Sequence, residues 1–309
     1  MEKRKQATQK SKFIIYALVV ALLLAAVTAW ALLSDENESF SNTLGKFGES
    51  SDIEPGLTVT FVDVGQGDCV YLECGGMKML VDGGEKYCEK TVSEFLYSRS
   101  VRSLDYVVAT HPHSDHIGSL PYIIDNFDVK NAVMPMIPYE LIPTNTSYEK
   151  LLSSVTDSGA DVIRAKAGES FTLGDASVEI IGPVSDTADE LNDMSAVLLV
   201  RYGEVSFLLT GDAETPEENS ILESGADVKC TVLKAGHHGS SYSSGEAFLA
   251  AASPEYFVIS CGEDNDYGHP AESTLKKFEA YSDKIYRTDK LGSITFRTDG
   301  ESVTVTAGK

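Results

Sequence analysis

The chain has 309 residues, of which 42% are hydrophobic, and this is enough for one large globular domain or two small ones. Its formal net charge is −22, although residues 1–12 form a basic tail. This acidity argues against the broad basic groove that is typical of nucleic-acid-binding proteins, so a polyanionic substrate would be held locally, by metal ions and helix N-termini, or by a basic patch that the net charge conceals. The five cysteines are scattered and imply no complete disulfide framework.

The first 56 residues divide into three segments. Residues 13–33 are uncharged and long enough to cross a hydrocarbon core of about 30 Å. Basic residues 1–12 precede them and acidic residues follow, which predicts a single-pass anchor in the cell membrane, with a cytoplasmic N-terminus and an extracytoplasmic domain. Residues 34–56 are polar and acidic, as is typical of a flexible linker. A cleaved signal peptide is the alternative, because AWA at 29–31 has the small-x-small pattern of a cleavage site.

Residues 57–309 show the pattern of one mixed α/β domain. Strand-like segments between 57 and 84 are separated by glycine pairs, which predicts a meander or hairpins. An amphipathic helix over 89–100 and a buried strand follow. In the second half we predict a hairpin that turns at Tyr202 and Gly203, then strands that alternate with helices over 214–223, 245–252 and 271–281. Two mixed sheets with helices outside is the simplest architecture.

Half of the six histidines lie in one short segment, THPHSDHIGS. His111, His113 and His116, with Asp115 among them, follow a predicted buried strand and precede an amphipathic helix, so we expect them on a strand-to-helix loop. Ligands of α/β sheets bind beyond the carboxyl ends of strands, and this loop is such an end. Imidazole and carboxylate are ordinary ligands of Zn²⁺ and Mn²⁺, and one metal site would satisfy all these polar groups together.

The other histidines also follow strands or lie in glycine turns. His237 and His238 occur in KAGHHGS, and His269 occurs in NDYGHP. Asp212 ends a strongly apolar strand, where an unpaired carboxylate would be costly unless it meets a cation. A helix N-cap is the alternative role for this aspartate, because a helical segment follows it.

The motifs FVDVGQGDC, LVDGG, THPHSDHIG, LLTGD, KAGHHGS and NDYGHP occur in this order. Together they resemble the metallo-β-lactamase fold in its ComEC-like branch, the extracytoplasmic domain of the DNA-uptake channel protein. The resemblance implies an αββα four-layer sandwich with one or two divalent metal ions, Zn²⁺ or Mn²⁺ or else Mg²⁺, at the edge between the sheets. One predicted membrane span does not form a channel, so the resemblance does not extend to transport.

The resemblance implies six metal ligands: His111, His113, Asp115, His116, Asp212 and His237. The first two would bind one metal and the next two the other, with Asp212 as the bridge and His237 completing the second site. No histidine occurs between residues 117 and 236, so the third imidazole of the first site is missing. Asn192, Asp193, Ser195 or water would fill this place. The resulting oxygen-rich site would suit Mn²⁺ or Mg²⁺.

Two side chains are predicted to act directly in catalysis. Asp115 would orient the attacking hydroxide and accept its proton, and His269 would donate a proton or contact a phosphate oxygen. His238 and Ser240 would contact the substrate or orient the ligands. Four further polar side chains are expected to shape and support the site: Asp63, Gln66, Asp68 and Asp82.

Three functions remain open from the sequence. The leading one is metal-dependent hydrolysis of a phosphodiester, with single-stranded DNA as the substrate and DNA-uptake machinery as a partner. The second is a phosphodiesterase that acts on cell-wall polymers or small phosphoesters. The third is a non-catalytic, metal-stabilised module that binds nucleic acid or an uptake partner. Intact aspartates at 115 and 212 argue against a purely structural metal, because structural sites are closed.

Overall fold

The computed structural model describes residues 56–308. The predicted anchor at 13–33 and nearly all of the predicted linker at 34–56 lie outside the described residues. Among residues 56–308, no helix is both long enough and apolar enough to cross a membrane.

The first of the two sheets has eight strands in the order β15-β14-β1-β2-β3-β4-β5-β6. Its strands are β1 (Leu57–Phe61), β2 (Val70–Cys74), β3 (Met77–Val81), β4 (Ser103–Val108), β5 (Asp128–Pro135), β6 (Asp161–Ala165), β14 (Ile294–Thr298) and β15 (Val303–Ala307). The first three strands pair antiparallel, as the glycine turns predict, and β3 to β6 then pair parallel. The loop after β4, which carries the histidine cluster, therefore leaves the sheet at the carboxyl end of a parallel strand.

The second sheet has seven strands in the order β13-β12-β11-β10-β9-β8-β7. Its strands are β7 (Ser170–Leu173), β8 (Ala176–Gly182), β9 (Val197–Tyr202), β10 (Val205–Leu209), β11 (Val232–Lys234), β12 (Tyr256–Ile259) and β13 (Ile285–Arg287). The predicted β9-β10 hairpin is present, but it turns one residue later than expected. Tyr202 pairs with Val205, and Gly203 has a φ of +59°, a conformation that favours glycine in a tight hairpin turn.

Eight α-helices are described between residues 56 and 308: α1 (Glu89–Ser98), α2 (Ser114–Ile117), α3 (Leu120–Asn126), α4 (Thr146–Ser158), α5 (Thr215–Ser224), α6 (Glu246–Ala252), α7 (Glu272–Glu279) and α8 (Thr288–Leu291). The five helices predicted in residues 57–309, counting the amphipathic helix after the histidine cluster, correspond to α1, α3, α5, α6 and α7.

The loop after β4 is shorter than predicted, because Asp115 and His116 lie within α2. The carboxylate of Asp115 falls in the first turn, where the helix dipole favours a negative charge. Gly118 lets the short helix approach the backbone closely, since a Cβ at this position would lie 2.4 Å from the nitrogen of Lys86.

The layers are arranged as helix, sheet, sheet and helix. Apolar side chains of both sheets, including Phe61, Leu198 and Phe207, form one buried cluster between them. A second cluster joins the outer face of the first sheet to α1, α3 and α4, and a third joins the second sheet to α5, α6 and α7. Strands β4, β10, β11 and β12 send their carboxyl-end loops to one edge, and the polar residues of the motifs follow these strand ends.

Candidate metal centre

Asp212 is the centre of the polar cluster at this edge. It lies just beyond β10 and is only 2% exposed. Four imidazoles direct their Nε2 atoms toward its Oδ2, at 3.2 Å for His116, 3.5 Å for His238, and 3.8 Å for both His111 and His237. The loops after β4, β10 and β11 therefore bring four of the six histidines to one carboxylate oxygen.

The Nδ1 atoms of two of these rings contact groups that can only accept a hydrogen bond. His116 Nδ1 lies 2.8 Å from Asp82 Oδ2, and His238 Nδ1 lies 3.0 Å from the carbonyl oxygen of Ser260. Nδ1 must therefore carry the proton in both rings. In the neutral form of each ring, the lone pair is then on Nε2 and faces Asp212.

The other two rings follow the same rule. His237 Nδ1 lies 3.0 Å from Glu214 Oε1. His111 Nδ1 lies 3.2 Å from the hydroxyl oxygen of Thr110, and this hydroxyl donates its own proton to Asp82 at 2.7 Å. His111 must then be the donor to Thr110, so its Nε2 also presents a lone pair toward Asp212.

Lone pairs that face a carboxylate require a cation or protons between them. Asp212 Oδ1 and His116 Nε2 are buried and have no hydrogen-bond partner among the described residues. Burial lowers the pKa of His116, but the carboxylates of Asp212, Asp82 and Asp115 outweigh it and hold this pKa well above its ordinary value. Burial also lowers the pKa of His238, but the carboxylates of Asp212 and Asp68 outweigh it and raise this pKa to about 10. A divalent cation would replace these protons, so the donor set fits a metal.

The donors divide into two adjacent groups. Asp68, His116, Asp212 and His238 are all buried, and one ligand atom from each lies within 4.8 Å of the others. Asp115 borders this group, with its Oδ2 3.2 Å from His238 Nε2. On the other side of Asp212, His111 Nε2 and His113 Nδ1 lie 3.0 Å apart. The arrangement can hold one or two divalent ions around Asp212.

Asp68 and Lys234 form a buried ion pair beneath the centre. Lys234 Nζ lies 2.6 Å from Asp68 Oδ2 and also donates to the carbonyl oxygens of Gly211 and Ala235. Burial raises the pKa of Asp68, but Lys234 and His238 outweigh this effect and lower it. The motifs predict no role for Lys234, although a lysine in an otherwise apolar strand signals a buried partner.

Asp82 supports the cluster from the loop after β3. Its Oδ1 accepts the backbone N–H of Thr110 at 2.8 Å, and its Oδ2 accepts both the Thr110 hydroxyl and His116 Nδ1–H. Asp82 has a φ of +57°, a left-handed conformation that aspartate tolerates better than most residues. Its contacts fix the orientation of His116, in keeping with the expected supporting role.

Two of the side chains expected to replace the missing imidazole have other contacts, whereas Asn192 Oδ1 is buried and has no hydrogen-bond partner among the described residues. Asp193 Oδ1 accepts the backbone N–H of Glu214 at 3.0 Å, and Ser195 Oγ accepts the backbone N–H of Asp212 at 3.1 Å. Asn192 donates from Nδ2 to Glu214 Oε1 at 2.8 Å. These contacts shape the loop that carries Asp212. Glu214, a residue that sequence analysis did not select, connects them to His237.

The structure places the two adjacent histidines differently from the arrangement that the resemblance implied. His238 is buried in the four-residue group, whereas the side chain of His237 is 24% exposed and contacts Glu214. The backbone explains the divergence, because both residues have positive φ angles, +47° and +54°, and their rings lie at 71° to each other. The assignment of individual metal ligands stays a prediction.

An open cavity of about 580 Å³ lies above the centre, and its lining includes Asp115, Asn192, His237, Tyr267 and His269. Burial, with the neighbouring His237 and His238, lowers the pKa of His269. The loop that carries it is fixed by Asn265, which accepts the backbone N–H of His269 and donates to its carbonyl oxygen.

Ser240 also lines the cavity, but its hydroxyl oxygen accepts the backbone N–H of Tyr242 at 3.2 Å. Gln66 lines the cavity as well, and its Oε1 accepts the backbone N–H of Gly262 at 3.2 Å. Asp63 Oδ1 accepts the backbone N–H of Gly65 at 3.2 Å. These polar side chains thus hold the turns around the cavity in place.

The fold and this centre agree with the comparisons with known proteins. The model of the metallo-β-lactamase superfamily matches residues 62–263. The chain belongs to this superfamily. It is 30% identical over 257 residues to ComE operon protein 3 of Bacillus subtilis and 31% identical over 240 residues to competence protein ComA of Neisseria gonorrhoeae. The predicted resemblance to the competence branch is thereby confirmed.

The similarity to these competence proteins is partial in length. The matches cover 77% of this chain but only 33% and 32% of the two relatives. Exodeoxyribonuclease WalJ of Streptococcus pneumoniae is 27% identical over 180 residues, which is 56% of this chain and 62% of that protein. Among solved structures, the metallo-β-lactamase fold protein YhfI of B. subtilis superposes with a TM-score of 0.53 at 11% identity, covering 79% of this chain and 100% of that one.

Proposed function

We propose that the chain is a metal-dependent phosphodiesterase that cleaves DNA, with single strands as its preferred form. The observation that most directly supports a metal-dependent enzyme is the convergence of four imidazole Nε2 atoms on Asp212, beside an open cavity. The similarity to competence proteins and to an exodeoxyribonuclease supports DNA as the substrate. We also propose that residues 13–33 anchor the protein in the cell membrane and that the enzyme acts outside the cytoplasm, beside DNA-uptake machinery. The charge pattern around residues 13–33 supports the anchor.

The residues that would hold the metal ions are those around Asp212. His111 and His113 would serve one position, and His116, His238 and Asp115 the other. Bound divalent ions would supply an acidified water and would neutralise charge on the phosphate oxygens. Zn²⁺ and Mn²⁺ both suit a mixture of imidazole and carboxylate donors.

Asp115 would act as the acceptor for the proton of the attacking water. It lines the cavity, and 23% of its side chain is exposed, so solvent can reach it. Burial raises the pKa of Asp115, but His116 and the hydrogen bond with His238 outweigh burial and hold this pKa well below its usual range. The side chain is therefore an ionised acceptor at neutral pH.

His269 would position the phosphate. Because burial and two neighbouring histidines lower its pKa, the ring is neutral at physiological pH. A neutral ring has one N–H group, which can donate a hydrogen bond to a phosphate oxygen. Of the two roles expected for His269, we therefore propose the phosphate contact rather than a stored proton for the leaving group.

A second candidate function is cleavage of phosphodiesters in cell-wall polymers or small molecules. The observation that favours it is the lining of the cavity in the described part of the chain, which includes no lysine or arginine. Two exposed tyrosines, Tyr242 and Tyr267, lie at the rim instead. A substrate with few phosphates near the scissile bond would suit this surface as well as DNA does.

The test uses the full-length chain in mild detergent, stripped of metal and reloaded with Mn²⁺, Zn²⁺ or Mg²⁺. Substrates are single-stranded DNA, duplex DNA and bis-p-nitrophenyl phosphate. Asp115→Asn should abolish cleavage, and the same change at exposed Asp125 should leave it unaltered. Cleavage of DNA supports the nuclease. Turnover of the small diester alone supports the second function, and tight metal binding without turnover would indicate a binding module.

A further inference from the structure

Two histidines face the first metal position, where the resemblance implies three. His111 and His113 face it together, yet no histidine occurs between residues 117 and 236 to complete the set. Asp193 and Ser195 already accept backbone N–H groups with their side-chain oxygens. A third imidazole at this position must therefore come from another part of the fold; Asn192 Oδ1, which is buried and has no hydrogen-bond partner among the described residues, stays available as an oxygen donor.

His237 occupies a suitable place. Its Nε2 lies 3.8 Å from Asp212 Oδ2, the same distance as His111 Nε2. Its neighbour His238 is already committed, because its Nδ1 contacts Ser260 and its Nε2 faces Asp115. The left-handed backbone at both positions turns the two rings apart, so adjacent histidines can serve two different ions.

Glu214 fixes the ring of His237. Its Oε1 lies 3.0 Å from His237 Nδ1 and accepts a hydrogen bond from Asn192 Nδ2 at 2.8 Å. The carboxylate places the proton on Nδ1 and leaves the Nε2 lone pair directed toward Asp212. A carboxylate that contacts the far nitrogen of a histidine is the usual support of a metal ligand in proteins, since it sets the tautomer and raises ligand basicity.

We propose that His237 Nε2 is the third imidazole ligand of the first metal position, and that Glu214 is its positioning residue. The inference rests on the proposed metal-dependent function. It assigns the two histidines of KAGHHGS to separate ions, His237 to the first and His238 to the second. It also gives Asn192 a role as the hydrogen-bond donor that holds Glu214, at the place where a third imidazole was expected.

The test is a metal count with a spectroscopic readout. Full-length wild type, His237→Ala, His238→Ala and Glu214→Gln are stripped of metal and titrated with Co²⁺, whose absorption reports the ligands. Bound metal is then counted by mass spectrometry. His269→Ala is the control for a cavity histidine outside the ligand set, and Glu223→Gln is the matched control for an exposed glutamate on α5.

We expect two ions in wild type and in both controls, and one ion in His237→Ala. His238→Ala should also hold one ion, with a different Co²⁺ spectrum because the other site remains. Glu214→Gln should keep both sites but bind the ion at the first metal position about 10–100-fold less tightly. Far-UV circular dichroism checks that each variant is folded.

Two ions at unchanged affinity in His237→Ala would overturn the inference and leave the proposed function standing, because His237 would then face the substrate alone. Loss of both ions in this variant, or loss of the same ion in both histidine variants, would also overturn it. A wild type that binds no divalent ion would overturn both the inference and the proposed function.

Discussion

Replacing Lys234 with methionine tests how the buried charges beneath the metal centre are balanced. Lys234 is 1% exposed, and its ammonium group contacts Asp68 at 2.6 Å and two carbonyl oxygens at 3.1 and 2.9 Å. All three of its protons therefore have partners. Methionine would fill the space of the apolar stem, but it would leave the Asp68 carboxylate buried without its nearest cation.

The expected loss follows from the cost of breaking a buried ion pair by removing one partner, about 3–5 kcal/mol. The imidazoles of His116 and His238 lie 3.8 and 3.3 Å from Asp68 and compensate for part of the charge. We therefore expect the metal-free protein to lose about 3 kcal/mol of unfolding free energy at neutral pH, the lower end of that range. Adding Asp68→Asn removes the uncompensated charge and should restore about 1–2 kcal/mol.

The assay is urea unfolding followed by far-UV circular dichroism, because residues 56–308 contain no tryptophan whose fluorescence could report on their core. Exposed Lys229→Met is the matched control and should change stability by less than about 0.5 kcal/mol. A loss below about 1 kcal/mol in Lys234→Met would refute the reasoning, given the cost expected for a broken buried pair. A double variant less stable than Lys234→Met alone would refute it as well.

Two further predictions concern side chains around the centre. Asp82→Asn should lower the affinity for divalent ions about 10–100-fold, because its amide N–H would face the Nδ1–H of His116. Calorimetric titration measures this affinity, with the change Asp283→Asn at an exposed position as the control. Equal affinities in the two variants would contradict the prediction. Burial raises the pKa of Glu217 to about 7, whereas its pKa in the unfolded chain is about 4.3. Between these two pH values the folded state holds a proton that the unfolded state lacks, so the free energy of unfolding falls as the pH rises. Relative to wild type, the free energy of unfolding of Glu217→Gln should therefore rise by about 2 kcal/mol from about pH 5 to pH 8, as measured by urea unfolding. Parallel pH profiles of the two proteins would contradict this.

The part of the site that could be predicted from sequence is the part that local pattern determines. His111, His113 and His116 lie close together in the chain, and Asp212 ends an apolar strand, so the strand-end rule alone brings them to one edge. The two-sheet architecture could also be predicted, because the glycine turns and the spacing of the strands are visible in the sequence.

The rest depends on contacts between distant segments. Lys234 could be recognised as a buried lysine, but its pairing with Asp68 requires the loop after β1 to meet the end of β11. The division of His237 and His238 depends on two consecutive left-handed residues, and residue spacing does not encode this backbone geometry. Glu214 shows no motif of its own, and its role emerges only when Asn192 and His237 lie on either side of it.

The acidity of the chain also has a physical consequence for how a polyanion would bind. Among residues 56–308, Asp115 and Asp212 are the only carboxylate or basic side chains, apart from histidines, that line the cavity, and metal ions would neutralise both. Binding should then depend on metal loading, with contacts to one or two phosphates, so KM for single-stranded DNA should rise only about 3–7-fold between 50 and 200 mM salt. A protein with 6–10 basic contacts to phosphates would lose about 10³–10⁵-fold in affinity over the same range. Steady-state kinetics at constant metal concentration measures this dependence, and a rise above about 100-fold would mean that a basic surface away from the cavity holds the strand.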